Sequence, residues 1–358
     1  MSEMPQKTKA RGRGALSNRS GRFEQAERVP FDDGWGTERP DRLPTEILPD
    51  TTRHVIIYNK SPDLGFDRTI NPYRGCEHGC IYCYARPTHA YWGYSPGQDF
   101  ETKLFVKSDA AEILERELSE PNYRPAVIVL GANTDAYQPI ERAHKITRSI
   151  LEVLARFRHP VGVVTKSALI LRDLDLWTHM AALEIGHVTI SLTTLDRRLA
   201  RAMEPRAATP GRRLDAIRHL AEAGVPVCVN IAPIIPGLTD HEIEPIVEAA
   251  AAAGAIEASY TMVRLPLEIK ELFQEWLHEH RPDRASRVES LIRQVRGGAL
   301  YRSGFGERMR GRGPYADLIR QRFRLSAERL DLTTRHRELR TDLFALPPKP
   351  GQQLTLEL

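Results

Sequence analysis

The sequence predicts an α/β protein built on a parallel sheet buried on both faces. Two observations carry that prediction. Short apolar runs recur at AVIVL (126–130), VGVVT (161–165), HVTIS (187–191), VCVNI (227–231) and SYTMV (259–263), and between them apolar residues return every three or four positions. Near-continuous apolar strands alternating with amphipathic helices form βαβ units, whose strands lie parallel and are buried on both sides. With a further strand placed before Cys76, the unit repeats about six times.

In chain order, residues 1–50 form a basic N-terminal arm. KTKARGRGALSNRSGR is Gly/Ser-rich and lacks helical or strand periodicity, and PFDDGWGTERPDRLPTEILPD is dense in turn residues. The arm is expected to be largely disordered, serving either to track nucleic acid or to solubilise. Residues 51–280 carry the strand–helix rhythm. Ala143, Ile146, Ile150, Leu154 and Phe157 mark one amphipathic helix, and Leu214, Ile217 and Leu220 another. Thr239 with Glu242 three positions on reads as a capping box opening the next helix. Residues 281–358 form an Arg-rich, α-helical C-terminal extension. Within it a helix starts at Pro314, with Tyr315, Leu318, Ile319 and Phe323 on one face, and the tail LPPKPGQQLTLEL reads as loose.

Composition narrows the class. At 358 residues the chain can bury a sizeable core, and 41% hydrophobic with 27% charged residues suits a soluble globular protein. The net charge of +4 is too mild to identify a partner. No run approaches the roughly 18 apolar residues of a membrane span, and MSEMPQKTKARGRG lacks the apolar centre of a signal peptide. Four cysteines, three of them clustered, make no disulfide framework. A reducing cytoplasm is therefore expected, where grouped thiols mean metal or redox chemistry.

The cluster lies in GCEHGCIYCY (75–84), spaced Cys76-x3-Cys80-x2-Cys83. Structural zinc takes four ligands, normally two from each of two knuckles. Here the second knuckle is missing, since Cys228 stands alone and His78 sits inside the same tight loop. Three thiolates can instead hold three irons of a 4Fe–4S cube and leave the fourth iron open. Gly75 and Gly79 let the loop wrap closely, and Tyr82 places an aromatic ring before the last thiol.

Cys-x3-Cys-x2-Cys with an aromatic before the third cysteine, in a strand-to-helix setting, resembles the radical S-adenosylmethionine (SAM) superfamily. The resemblance covers roughly residues 54–280 and implies a partial (β/α)6 TIM-type barrel. It also implies a 4Fe–4S cluster held by Cys76, Cys80 and Cys83, with SAM chelating the open iron. One-electron reduction then yields a 5′-deoxyadenosyl radical that abstracts hydrogen from a substrate, and a flavodoxin- or ferredoxin-type reductant is required. For SAM, the resemblance points to Tyr82, Asn133, Thr134, Lys166 and Ser191, the last four at strand ends. Asn133 and Thr134 equally suit a turn and helix cap. PIIPG (233–237) falls near the adenine position, and Glu204 and Arg206 are read as SAM or substrate contacts or as an exposed ion pair.

CIYCY, NTDAYQPIER, TKS with LRDLDLW, and SLTTLD resemble the spore photolyase-like branch, often called DNA repair photolyase. That branch acts as a lyase on thymine dimers, with a cysteine and tyrosines returning hydrogen. Tyr84 matches one such tyrosine, whereas residues 131–138 contain no cysteine. Cys228 on a neighbouring strand is the candidate replacement, unless it is a packed core thiol. YRSGFGERMRGRGPY (301–315) could grip a phosphate backbone, with Tyr301, Phe305 or Tyr315 stacking on bases. The alternatives are radical modification of a protein or metabolite, and a non-catalytic nucleic-acid-binding protein with a structural metal.

Overall fold

A computed structural model describes residues 11–24, 43–335 and 337–347. Six parallel strands stand side by side in chain order: β1 (Arg68–Ile70), β2 (Ile128–Leu130), β3 (Val161–Thr165), β4 (Gly186–Ser191), β5 (Val227–Ile234) and β6 (Glu257–Met262). Ile57–Tyr58 pairs antiparallel with β1 at the outer edge. Among the described residues β1 and β6 are not hydrogen-bonded to each other, so the sheet is a partial barrel. Each of the five apolar runs overlaps a strand, AVIVL only from Ile128 and SYTMV only as far as Met262, and the strand expected before Cys76 is β1.

The first five strands are each followed by a helix on the outer face: α1 (Ala110–Leu118), α2 (Ile146–Arg156), α3 (Leu174–Ala182), α4 (Pro210–Glu222) and α5 (Ile243–Ala252). Val188 and Ile190 of β4, with Val227, Val229 and Ile231 of β5, face these helices in the main core. The intervening residues face the barrel interior, as strand alternation requires. The apolar stripe predicted on α2 is realised by buried Ile146, Ile150 and Leu154. The Thr239–Glu242 capping box does not form. Thr239 Oγ1 instead accepts from Ile235 N, and the Glu242 carboxylate accepts from Thr194 Oγ1 and Leu195 N.

Beyond β6 come α6 (Ile269–His280), α7 (Ala285–Val295) and α8 (Pro314–Arg329). The helix start predicted at Pro314 holds. Ile319 and Phe323 are buried, with Phe323 4.8 Å from the Tyr260 ring, whereas Leu318 is exposed. The chain then runs beneath the sheet. Thr333 brackets β6, Arg340 N donates to Glu184 O, and Ala345 N donates to Phe157 O. Of the predicted loose tail, residues 348–358 lie outside the described residues.

The expectation of a largely disordered arm does not extend to residues 11–24. Arg13 donates to Glu101 O, while Gly14 N and Ala15 N both donate to the Glu101 carboxylate at 2.9 Å. A Cβ on Gly14 would stand 1.8 Å from Gly79 O, so glycine is what lets this segment lie against the cysteine loop.

Candidate active site

The barrel encloses a cavity of about 440 Å³ that runs from the carboxyl ends of its strands, where such barrels bind ligands, down to Val127, Gly162 and His187 near their amino ends. Cys76, Cys80 and Cys83 all line it, together with Tyr82, Tyr84, Asn133, Lys166 and Ser191. The loop bearing the thiols leaves the short strand Tyr73–Arg74 with Gly75 at φ 76° and Gly79 at φ 67°, where side chains are disfavoured. Four hydrogen bonds from three residues anchor it. Ile81 N donates to Met203 O, Glu77 N to Gln138 Oε1, Gln138 Nε2 to Gly75 O, and Arg86 Nε to Cys80 O.

The donor set fits an iron–sulfur cluster better than a single ion. Among the described residues, no three His, Cys, Asp or Glu side chains converge on one metal ion. His78 is engaged by Asp135, Nδ1 to Oδ2 3.3 Å. Burial first, then the Asp135 charge, pushes the Cys76 thiol well up, and burial followed by Glu204 pushes Cys80 up. Thiolates in such a setting need a bound cation to exist at neutral pH.

The other predicted residues divide. Lys166 Nζ stands 5.8 Å from the Tyr82 ring centre and has no carboxylate partner among the described ion pairs. Tyr84 OH donates to Ala132 O at the cavity wall, with the Arg264 guanidinium 4.6 Å over its ring. Pro233 of the PIIPG segment also lines the cavity. Thr134 does not, because its hydroxyl donates to Tyr73 O at 2.8 Å and clamps the turn after β2. Cys228 is not at the wall either. It faces inward in register with Thr189, but its thiol is buried against Ser259 Oγ at 3.6 Å. That burial pushes its pKa up to about 12.

Glu204 and Arg206 hold the site rather than line it. Glu204 is buried in an ion pair with Arg213 and accepts from Tyr82 OH and Thr193 Oγ1, which fixes the Tyr82 ring. Arg206 pairs with Glu77 at 3.1 Å while its backbone N–H donates to His78 O.

Sequence reasoning did not foresee the partners of Asp135 or the polar inner wall. Burial alone would raise the Asp135 pKa, but His78, the Thr165 hydroxyl and Lys166 N–H together hold it well below the carboxylate range. His187, Thr189, Asn230 and Ser259 line the lower cavity opposite Val127, Val129 and Gly162. Period-two alternation within apolar runs was the signal for them. At the rim, Tyr315 OH is taken by Asp240 and Tyr301 packs on the core, which leaves Phe305 as the exposed aromatic.

A six-stranded partial barrel with three cysteines on the loop after its first strand defines the radical SAM class. The radical SAM superfamily model matches residues 70–250, and the chain belongs to that superfamily. Its cofactors are accordingly a 4Fe–4S cluster and SAM. The uncharacterized protein Rv2578c of Mycobacterium tuberculosis is 37% identical over 66% of this chain and 71% of its own length. The uncharacterized protein MJ0683 of Methanocaldococcus jannaschii is 32% identical over 55% of this chain and 71% of its own. Spore photoproduct lyase complexed with dinucleoside spore photoproduct shares the fold, with TM-score 0.58 and 17% identity over 79% of each chain.

Proposed function

We propose that this chain is a radical SAM enzyme acting on nucleic acid, with Cys76, Cys80 and Cys83 as the cluster ligands. The observation that carries the reading is the convergence on one cavity of three thiols and Lys166, which has no carboxylate partner among the described residues. When bound, the cluster and SAM supply a 5′-deoxyadenosyl radical for hydrogen abstraction. The chain's own residues position and shield. Lys166 holds the SAM carboxylate, Asn133 and Ser191 bond its polar groups, and Tyr82 packs beside it on Glu204. Tyr84, at the wall, is the relay for returning hydrogen. Cys228 is assigned no role, because its thiol lies behind the cavity surface.

Replacing Lys166 with alanine should weaken SAM binding roughly ten- to a hundredfold, the worth of one charged hydrogen bond. Equilibrium dialysis with reconstituted protein measures this, and an unchanged Kd removes Lys166 from the site.

Nucleic acid is favoured by the rim. Arg264 and Arg310 line the cavity and make no carboxylate pair among the described residues. The fold shared with a lyase complexed with a dinucleoside supports the same substrate class. A double Arg264→Ala, Arg310→Ala variant should bind single-stranded oligonucleotide more weakly. The slope of log K against log salt should fall by about one for each phosphate no longer neutralised. An unchanged affinity and slope would leave nucleic acid without support.

A further inference from the structure

The chemistry needs an electron from outside, since the fourth cysteine is buried away from the other three and the chain offers no second thiol group for a redox centre. The three ligand thiols face the cavity, but the loop has a second, outward side. There Phe100 packs against Cys76, Cys83 and Ala85. The His89 ring lies 5.6 Å from Phe100 and 6.2 Å from Phe105, and Phe105 lies 5.6 Å from Trp92. Burial pushes the His89 pKa down to about 4, so the imidazole is neutral and adds no charge to this row of rings.

The row ends at the surface. Trp92 is 46% exposed, its neighbour Tyr91 70%, and the Phe23 ring packs tilted against Tyr91 with centres 5.2 Å apart. Three large aromatics at one surface spot are uncommon on a solvated face and mark contact with another protein. Charge around them is arranged unevenly. Arg74 sits 4.1 Å over the Trp92 ring with its side chain 29% exposed, while its partner Asp50 is 3% exposed. Lys103 is 31% exposed and its partner Asp99 6%. Each pair turns its cation outward and hides its carboxylate, so the patch presents positive charge around aromatic rings.

We infer that the Tyr91–Trp92 face is the docking site of a small acidic one-electron carrier, which passes its electron inward along the ring row to the cysteine loop. The inference rests on the cluster assignment above. In the transfer the reduced carrier loses one electron and the cluster site gains one, with no proton or bond change required. An acidic partner fits the outward cations, and apolar contact with exposed Trp and Tyr supplies the affinity.

The test compares wild type with a Tyr91→Ser, Trp92→Ser double variant, both anaerobically reconstituted. Both side chains are exposed and neither lines the cavity, so folding should survive. Reduced flavodoxin is the protein reductant and dithionite the small one, with bleaching of the visible absorption followed by stopped flow. Titration calorimetry of oxidised flavodoxin onto each protein adds a binding readout independent of turnover. Loss of two central aromatics should slow reduction by flavodoxin and weaken binding by about tenfold or more, with the dithionite rate unchanged. Higher salt should weaken wild-type binding. Equal behaviour of the two proteins toward flavodoxin, including no transfer to either, overturns the proposal, as does an equal loss with dithionite. Sedimentation showing a wild-type dimer and a monomeric variant would assign the face to a second copy and also overturn it. Measured iron and sulfide contents near four of each would show that such a failure belongs to the docking face and not to the cluster assignment.

Discussion

Exchanging Cys80 for alanine should abolish reductive SAM cleavage, by about 10⁴-fold or more, because ligands that act as one unit lose nearly all function singly. The thiol is buried at the cavity wall, and its backbone carbonyl is held by Arg86 Nε at 2.9 Å. Alanine keeps that backbone bond, so the loop should stay in place while the site loses one of three sulfur donors. Far-ultraviolet circular dichroism should therefore be unchanged, with iron and sulfide content and 5′-deoxyadenosine formation collapsing together. Retention of a full cluster and normal cleavage would remove Cys80 from the ligand set.

Changing Glu101 to alanine should cost about 3–5 kcal/mol, the penalty for leaving a buried guanidinium unpaired. Both side chains of the Arg86–Glu101 pair are fully buried. Arg86 also donates to Cys80 O, Pro96 O and Gly97 O. The Glu101 carboxylate meanwhile receives Gly14 N and Ala15 N. One carboxylate thus ties the cysteine loop to the N-terminal segment, and its loss should loosen both. Urea unfolding measures the stability, and proteolysis within residues 11–24 should accelerate. A loss under about 1 kcal/mol would mean that the pair behaves like an exposed one.

The barrel strands were legible because parallel strands buried on both faces must be apolar almost throughout, as Val161–Thr165 is. The cysteine loop was legible for a different reason, since three thiols at that spacing serve little besides a metal. The seat of residues 11–24 was not. A Gly/Ser-rich basic stretch reads as a tail, and its order comes from backbone N–H groups meeting a carboxylate far along the chain. Glu242 likewise carries the local mark of a capping box but is claimed by Thr194 and Leu195. Glu204 and Arg206 were read from loop position as ligand contacts or an exposed ion pair, and they form ion pairs, though not with each other and with Glu204 buried. Their partners, Arg213 and Glu77, are visible only once the loops are folded together. Thr134 and Cys228 share that fate, being polar or reactive by type yet spent on neighbours.

Central to the proposed chemistry is a cluster with one iron left free by the chain. Mössbauer spectroscopy of the reconstituted, iron-57-enriched protein, taken with and without SAM, addresses that iron alone. The expected result is that SAM shifts the signal of one iron in four and leaves the rest unchanged. Spectra identical with and without SAM, or stoichiometric zinc in place of iron, would contradict it.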